Sequence, residues 1–203
     1  MKQKLMSSIG GCLLLAFLLL AFPIRGQAAD SITVTDDDNG VKVQYELSKR
    51  GDSADTYSAV ISFADEDAQP EELHIKSTVT DENGTYEIKN IESVAYKDSL
   101  ELVKIEEGIT SMAGGAWENG YADSDTVTIS FPSTLEDVED GFLNWDKHPD
   151  SVIVPKWLSK MKPENGVVYA GKVAVYVPKA ENDASKVSEI TFKDGCTKIA
   201  HKA

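Results

Sequence analysis

Cysteine is nearly absent. Only Cys12 and Cys196 occur, and Cys12 lies in a segment that reads as a removable leader. Cys196 is then alone, so no disulfide forms within the mature chain and no cysteine zinc cluster can be built. Histidine is scarce as well. His74, His148 and His201 share no metal-ligand spacing and read as surface or edge residues. After Pro23 no apolar run approaches the roughly 20 residues of a membrane span. Positive charge is also in short supply: 20 Lys and Arg stand against 34 Asp and Glu, a net charge of −14. Loss of Lys2, Lys4 and Arg25 with the leader removes three of the 20 and takes the net charge to −17. Such a field repels nucleic acid and anionic lipid surfaces. It admits basic partners and divalent cations, and it equally serves solubility.

The N-terminus supplies the first positive signal. Lys2 and Lys4 precede an apolar run from Cys12 to Phe22, then Pro23, the small residues Gly26, Ala28 and Ala29, and polar Asp30. A basic start, a short apolar core and a small-residue exit describe a secretory signal peptide over 1–29. The apolar run lies after Cys12, where a lipoprotein cysteine would need it before. Secretion or display at the cell surface is the expected localisation.

An internal period follows. Val103 and Ile105 are followed by Ile109 and Met112; Ile129 and Phe131 by Leu135 and Val138; Val152 and Val154 by Leu158 and Met161; Ile190 and Phe192 by Cys196 and Ile199. The first two positions of each unit are two apart, so both face one side of a strand. A turn or stop follows in register, at Glu107-Gly108, Pro132-Ser133, Pro155-Lys156 and Asp194-Gly195. An earlier half-unit, Ile88 and Ile91, matches Ile109 and Met112, and a small residue and an aromatic follow each, at Ala95-Tyr96 and Ala116-Trp117. Stacked units would form a parallel sheet whose apolar faces share one core. Tyr96 and Trp117 read as core wedges.

The segments Leu102–Trp117 and Val127–Val138 resemble the BspA-like class of leucine-rich repeats, and the resemblance extends from about Thr85 to Ala203. It implies a mainly β fold: a right-handed leucine-rich-repeat solenoid with short parallel strands, capped by N-terminal β-hairpins. Residues 30–81 supply the cap and 82–203 the repeats, with a hairpin-like insert at about 165–180. Alternating Ile32 and Val34, Val41, Val43 and Tyr45, and Tyr57, Ala59, Ile61 and Phe63 support the hairpins, which would protect the edge strand. The chain departs from the family pattern at Trp157 and at Cys196. It also stops one residue short of the closing aromatic, which implies either a longer natural protein or another cover for that end.

No constellation for catalysis emerges. A Cys196–His201 pair is set aside because Cys196 takes a repeat core position, where a thiol is inert. Asp36-Asp37-Asp38-Asn39-Gly40 lacks the glycine and glutamate spacing of a calcium loop and reads as a hairpin turn. Asn83-Gly84-Thr85 fits a glycosylation triplet, but a glycine turn accounts for it. No cofactor or metal is expected. The family resemblance implies a non-enzymatic binding module, adhesive or protein-binding, with a protein, cell-wall or host-matrix ligand. The outward strand residues Lys104, Ser130, Ile153 and Thr191 are the candidate face. The alternative is a spacer that carries another functional domain.

Overall fold

The computed structural model describes residues 31–51, 55–117, 119–142, 155–178 and 190–200. Two compact units are present, Met1–Asp30 and Ser31–Ala203, and the described residues belong to the second.

The fold is mainly β and begins as a meander. Strand β1 (Ile32–Asp38) pairs antiparallel with β2 (Val41–Lys49), and β2 with β3 (Thr56–Phe63). Asn39 and Gly40 join the first pair with φ of 53° and 87°. Two consecutive positive φ values suit the right-handed twist of a tight hairpin, which explains the Asn-Gly pair. Val34, Val43, Tyr45, Leu47, Ala59 and Ile61 alternate inward and are buried.

Further along, the pairing becomes parallel. After β4 (Glu72–Ile75), the hairpin of β5 (Thr78–Asp81) and β6 (Gly84–Val94) places β6 parallel to β3. The chain then steps between two ladders. Strand β7 (Leu102–Ile105) lies parallel to β4, β8 (Ser111–Met112) to β6, β9 (Thr128–Ser130) to β7, and β10 (Asp137–Val138) to β8. One ladder therefore reads β4-β7-β9, and the other continues the meander as β3-β6-β8-β10. Residues 81 and 82, where the expected cap ends and the expected repeats begin, lie at the β5–β6 turn.

Inward side chains of both ladders fill one core. Leu73, Ile75, Val103, Ile105 and Ile129 belong to the same buried cluster as Ile91, Ile109, Met112, Leu135 and Val138. Both members of the predicted Val103/Ile105 and Ile109/Met112 pairs are buried. Across β3, β6 and β8 a polar chain runs through the core: Asn90 Nδ2 donates to Ser58 Oγ at 3.1 Å, and Ser111 Oγ donates to Asn90 Oδ1 at 2.9 Å. The turns are stitched by carboxylates. Glu107 Oε1 accepts the Ser133 N–H at 2.9 Å, while Oε2 accepts the Ser133 hydroxyl at 3.0 Å and the Thr134 N–H at 3.1 Å. Glu106 Oε2 accepts the Ser77 N–H at 2.9 Å.

Aromatic residues wedge one end. Trp117 packs against Tyr121, Phe131 and Trp157 at ring separations of 5.1, 5.9 and 6.1 Å. Tyr121 comes from the short helix α1 (Asn119–Asp123) and Trp157 from α2 (Lys156–Ser159). Phe131 was expected inside a strand beside Ile129, but β9 ends at Ser130 and Phe131 joins this aromatic group half-buried.

Three further expectations change. Leu158 and Met161 were expected to fill the core from a return segment; that segment is helical over 156–159 as α2, which buries Trp157 and Leu158, with Met161 half-buried against the core. The return position goes to the hairpin of β11 (Val168–Ala170) and β12 (Val173–Tyr176). Lys172 N–H donates to Leu135 O at 2.8 Å and Lys172 O accepts the Thr197 N–H at 3.0 Å, so the hairpin tip lies between the Leu135 and Thr197 segments. Val173 and Val175 are β-branched, whereas Lys-Trp-Leu-Ser-Lys-Met (156–161) holds no β-branched residue. Second, Ile190 and Phe192 lie in no strand and are 41% and 37% exposed. Lys193 N–H instead donates to the Tyr169 hydroxyl at 2.9 Å, which draws this segment toward β11. Third, Ile199 lies in β13 (Lys198–Ile199), parallel to β12, and is 54% exposed. No described strand pairs with the other side of β13. Cys196, expected in the main core, is half-buried against a small cluster of Val167, Tyr169 and Ala174. Among the described residues no helix is long and apolar enough to cross a membrane.

Candidate functional site

The β4-β7-β9 ladder has one face in the core and one outside. Its register is parallel and unshifted: His74 stands opposite Lys104, and Lys104 opposite Ser130. The adjacent row is Glu72, Leu102 and Thr128. In-register strands place such partners about 4.8 Å apart. Leu73, Ile75, Val103, Ile105 and Ile129 on the alternate positions point inward and anchor the strands.

Two of the four predicted residues are thereby brought together. Lys104 and Ser130 are exposed neighbours on this face. Thr191 is exposed but lies outside any strand and outside this ladder. Ile153 lies outside the described residues. His74 is the member that the sequence missed. Leu73 and Ile75 repeat the two-apart spacing of Val103 and Ile105, a signal that marks the strand although it lies within the expected 30–81 cap.

The row is polar and its charges differ along its length. His74 Nε2 lies 3.3 Å from Glu72 Oε2, and Nδ1 lies 3.6 Å from Asp38 Oδ1. Lys76, two residues on, pairs with Asp36 Oδ2 at 2.5 Å. Lys104 is exposed and belongs to no ion pair among the described residues. Thr128 and Ser130 add two exposed hydroxyl positions, and half-buried Leu102 provides an apolar spot between them and Glu72. The arrangement offers directed donors and a small apolar contact on a rigid sheet. Ser130 has no hydrogen-bonded base among the described residues.

Other candidates are weaker. An open depression of about 520 Å³ is lined by Gly40, Val41, Lys42, Ala64, Asp65, Ala68 and Gln69, at the tip of the β1–β2 turn and the end of β3. Lys42 and Asp65 are its only charged groups. Asp37 Oδ1 accepts the Gly40 N–H at 2.8 Å, so the Asp36–Gly40 segment is a hairpin turn with its carboxylates engaged. Among the described residues no group of three or more His, Cys, Asp and Glu is placed to hold a metal ion. Cys196 Sγ lies 3.5 Å from the Lys198 carbonyl; His148 and His201 lie outside the described residues.

No protein-family model, no curated protein and no solved structure matches this chain.

Proposed function

We propose that the chain is a secreted or surface-displayed binding module without catalytic activity. Its architecture is read as a right-handed leucine-rich-repeat solenoid of the BspA-like kind, and its ligand face as the outward row of β4, β7 and β9. One observation carries the reading: His74, Lys104 and Ser130 stand side by side on the solvent face of a parallel sheet whose other face is fixed in the core. Such a face presents the same positions on successive strands, which suits an extended ligand. Lys104 supplies a cation in an acidic protein, so the ligand includes an acceptor such as a carboxylate or a backbone carbonyl. A protein or a cell-wall polymer meets that requirement.

The test is biolayer interferometry of the intact protein against fibronectin, fibrinogen, collagen, mucin and peptidoglycan. Lys104→Glu and Ser130→Arg are compared with the parent. Saturable binding that both substitutions weaken at least tenfold, about 1.4 kcal/mol, is the expected result. Failure of the folded protein to bind any of them, or binding indifferent to both substitutions, sinks the proposal.

A further inference from the structure

We propose that Asn165 is a site of spontaneous deamidation selected by the fold. Asn-Gly pairs occur at 39–40, 83–84, 119–120 and 165–166. Glycine lacks a side chain, so in each pair its backbone nitrogen is unhindered in approaching the preceding amide. What differs is how each glycine nitrogen is held.

At the first two pairs a carboxylate holds it. Gly40 N–H donates to Asp37 Oδ1 at 2.8 Å, and Gly84 N–H donates to Asp81 Oδ1 at 3.0 Å. The Asn83 amide itself donates to Asp81 Oδ2 at 3.2 Å. Each carboxylate fixes the direction of the N–H, and its charge opposes the nitrogen anion that must form for attack. Both pairs also close continuous antiparallel ladders, β1–β2 and β5–β6. The third pair lies in α1, where Gly120 is tight against Tyr96: a Cβ there would sit 1.9 Å from the Tyr96 ring.

Asn165–Gly166 has none of these restraints. Both residues are exposed, with φ of 52° and 82°. No described group accepts the Gly166 N–H. The turn is closed by one isolated pair: Glu164 N–H to Val167 O at 2.8 Å and Val167 N–H to Glu164 O at 3.0 Å. Opening that pair frees the backbone for the reaction without disturbing a ladder.

The chemistry is intramolecular. Gly166 N loses its proton to solvent and attacks Asn165 Cγ. The N–Cγ bond forms, the Cγ–Nδ2 bond breaks, and the amide leaves as ammonia after taking up a proton. Water then opens the succinimide at either carbonyl, giving aspartate or isoaspartate. The product carries a new carboxylate beside Glu164, and isoaspartate adds a backbone methylene that breaks the 164–167 pairing.

The experiment follows the full-length folded chain at mildly alkaline pH by peptide-mapping mass spectrometry, with a parallel sample in urea. The folded protein should deamidate at Asn165 at least several-fold faster than at Asn39 or Asn83, and the three rates should converge in urea. Asp37→Ala should accelerate Asn39 alone. Equal folded-state rates, a faster Asn39 or Asn83, or no response of Asn39 to Asp37→Ala would overturn the proposal.

Discussion

Asp38 on β1 holds the backbone of His74 on β4: its Oδ2 accepts the His74 N–H at 2.9 Å. The other edge of β4 is paired with β7, so this bond falls on the edge that no described strand covers. Tyr45 completes the seal. Its hydroxyl accepts the Lys76 N–H at 3.1 Å and donates to His74 O at 3.4 Å. Bare strand edges invite pairing with other chains. Here two side chains of the N-terminal meander occupy the edge groups, while β3 extends the other ladder directly.

Tyr45→Phe should therefore cost about 1 kcal/mol, because it leaves the part-buried Lys76 N–H and His74 carbonyl without their hydroxyl partner. Urea unfolding monitored by circular dichroism measures this. An alkaline limb should accompany it. Burial raises the Tyr45 pKa well above the ordinary tyrosine value, and the Lys76 bond only partly offsets that shift. The folded state therefore keeps its proton where the unfolded state loses it. The contribution is complete below about pH 10 and declines as pH rises beyond it. The phenylalanine variant should show a shallower decline over the same range; an identical slope would refute this role.

Asn90 should be costly to lose. Asn90→Ala leaves the Ser58 and Ser111 hydroxyls buried without their amide partner, at about 1–3 kcal/mol. Ser58→Ala combined with Asn90→Ala should cost less than the two single changes added, because the shared bond is lost only once. Additive costs in a double-mutant cycle would show that the polar chain is not a unit.

Glu107 gives an acid-side prediction. The Ser133 N–H bond, followed by the Ser133 hydroxyl and the Thr134 groups, lowers its pKa below the ordinary glutamate value. A depressed pKa stabilises the fold above the unfolded value near 4.3 and loses that effect as pH falls. Because the group is solvent-screened, Glu107→Gln should cost no more than about 1 kcal/mol at neutral pH. The difference from the parent should shrink as pH falls below about 4.3, which urea midpoints across the acid range would check.

Val103, Ile105, Ile109 and Met112 were legible because two-residue and turn-separated spacings mark one face of a strand and its return. The same spacing at Ile190 and Phe192 gave a core that is not there. Spacing is local, whereas burial needs a neighbouring coil, and the sequence carries no sign of which coil has one. The β11–β12 hairpin was legible as a hairpin but its seat was not, since its tip is fixed by the distant Leu135 and Thr197 backbones. His74 was missed for a related reason: β4 precedes its ladder partner β7 by a whole hairpin.

That contrast is measurable. Ile129→Ala, at a side chain 3% exposed, should cost about 2–5 kcal/mol. Phe192→Ser, at a side chain 37% exposed, should cost less than about 1 kcal/mol. Comparable losses in urea midpoints would place Phe192 in a core after all.

Gly171 tests how the hairpin tip is held against the Leu135 backbone. Its φ is +57°, and a Cβ there would sit 2.5 Å from Pro132 O and 2.7 Å from Leu135 Cβ. Neither neighbour can swing away, because one is backbone and the other is the root of a buried side chain. Gly171→Ala must therefore push the Lys172 N–H away from Leu135 O, with a strain of about 1–3 kcal/mol added to the lost bond. The effect should be local: limited proteolysis should find the 163–178 segment cut faster, while β1–β3 keep their hydrogen-exchange protection. If proteolysis there is unchanged, the contact between the hairpin tip and the Leu135 coil does not hold the hairpin in place.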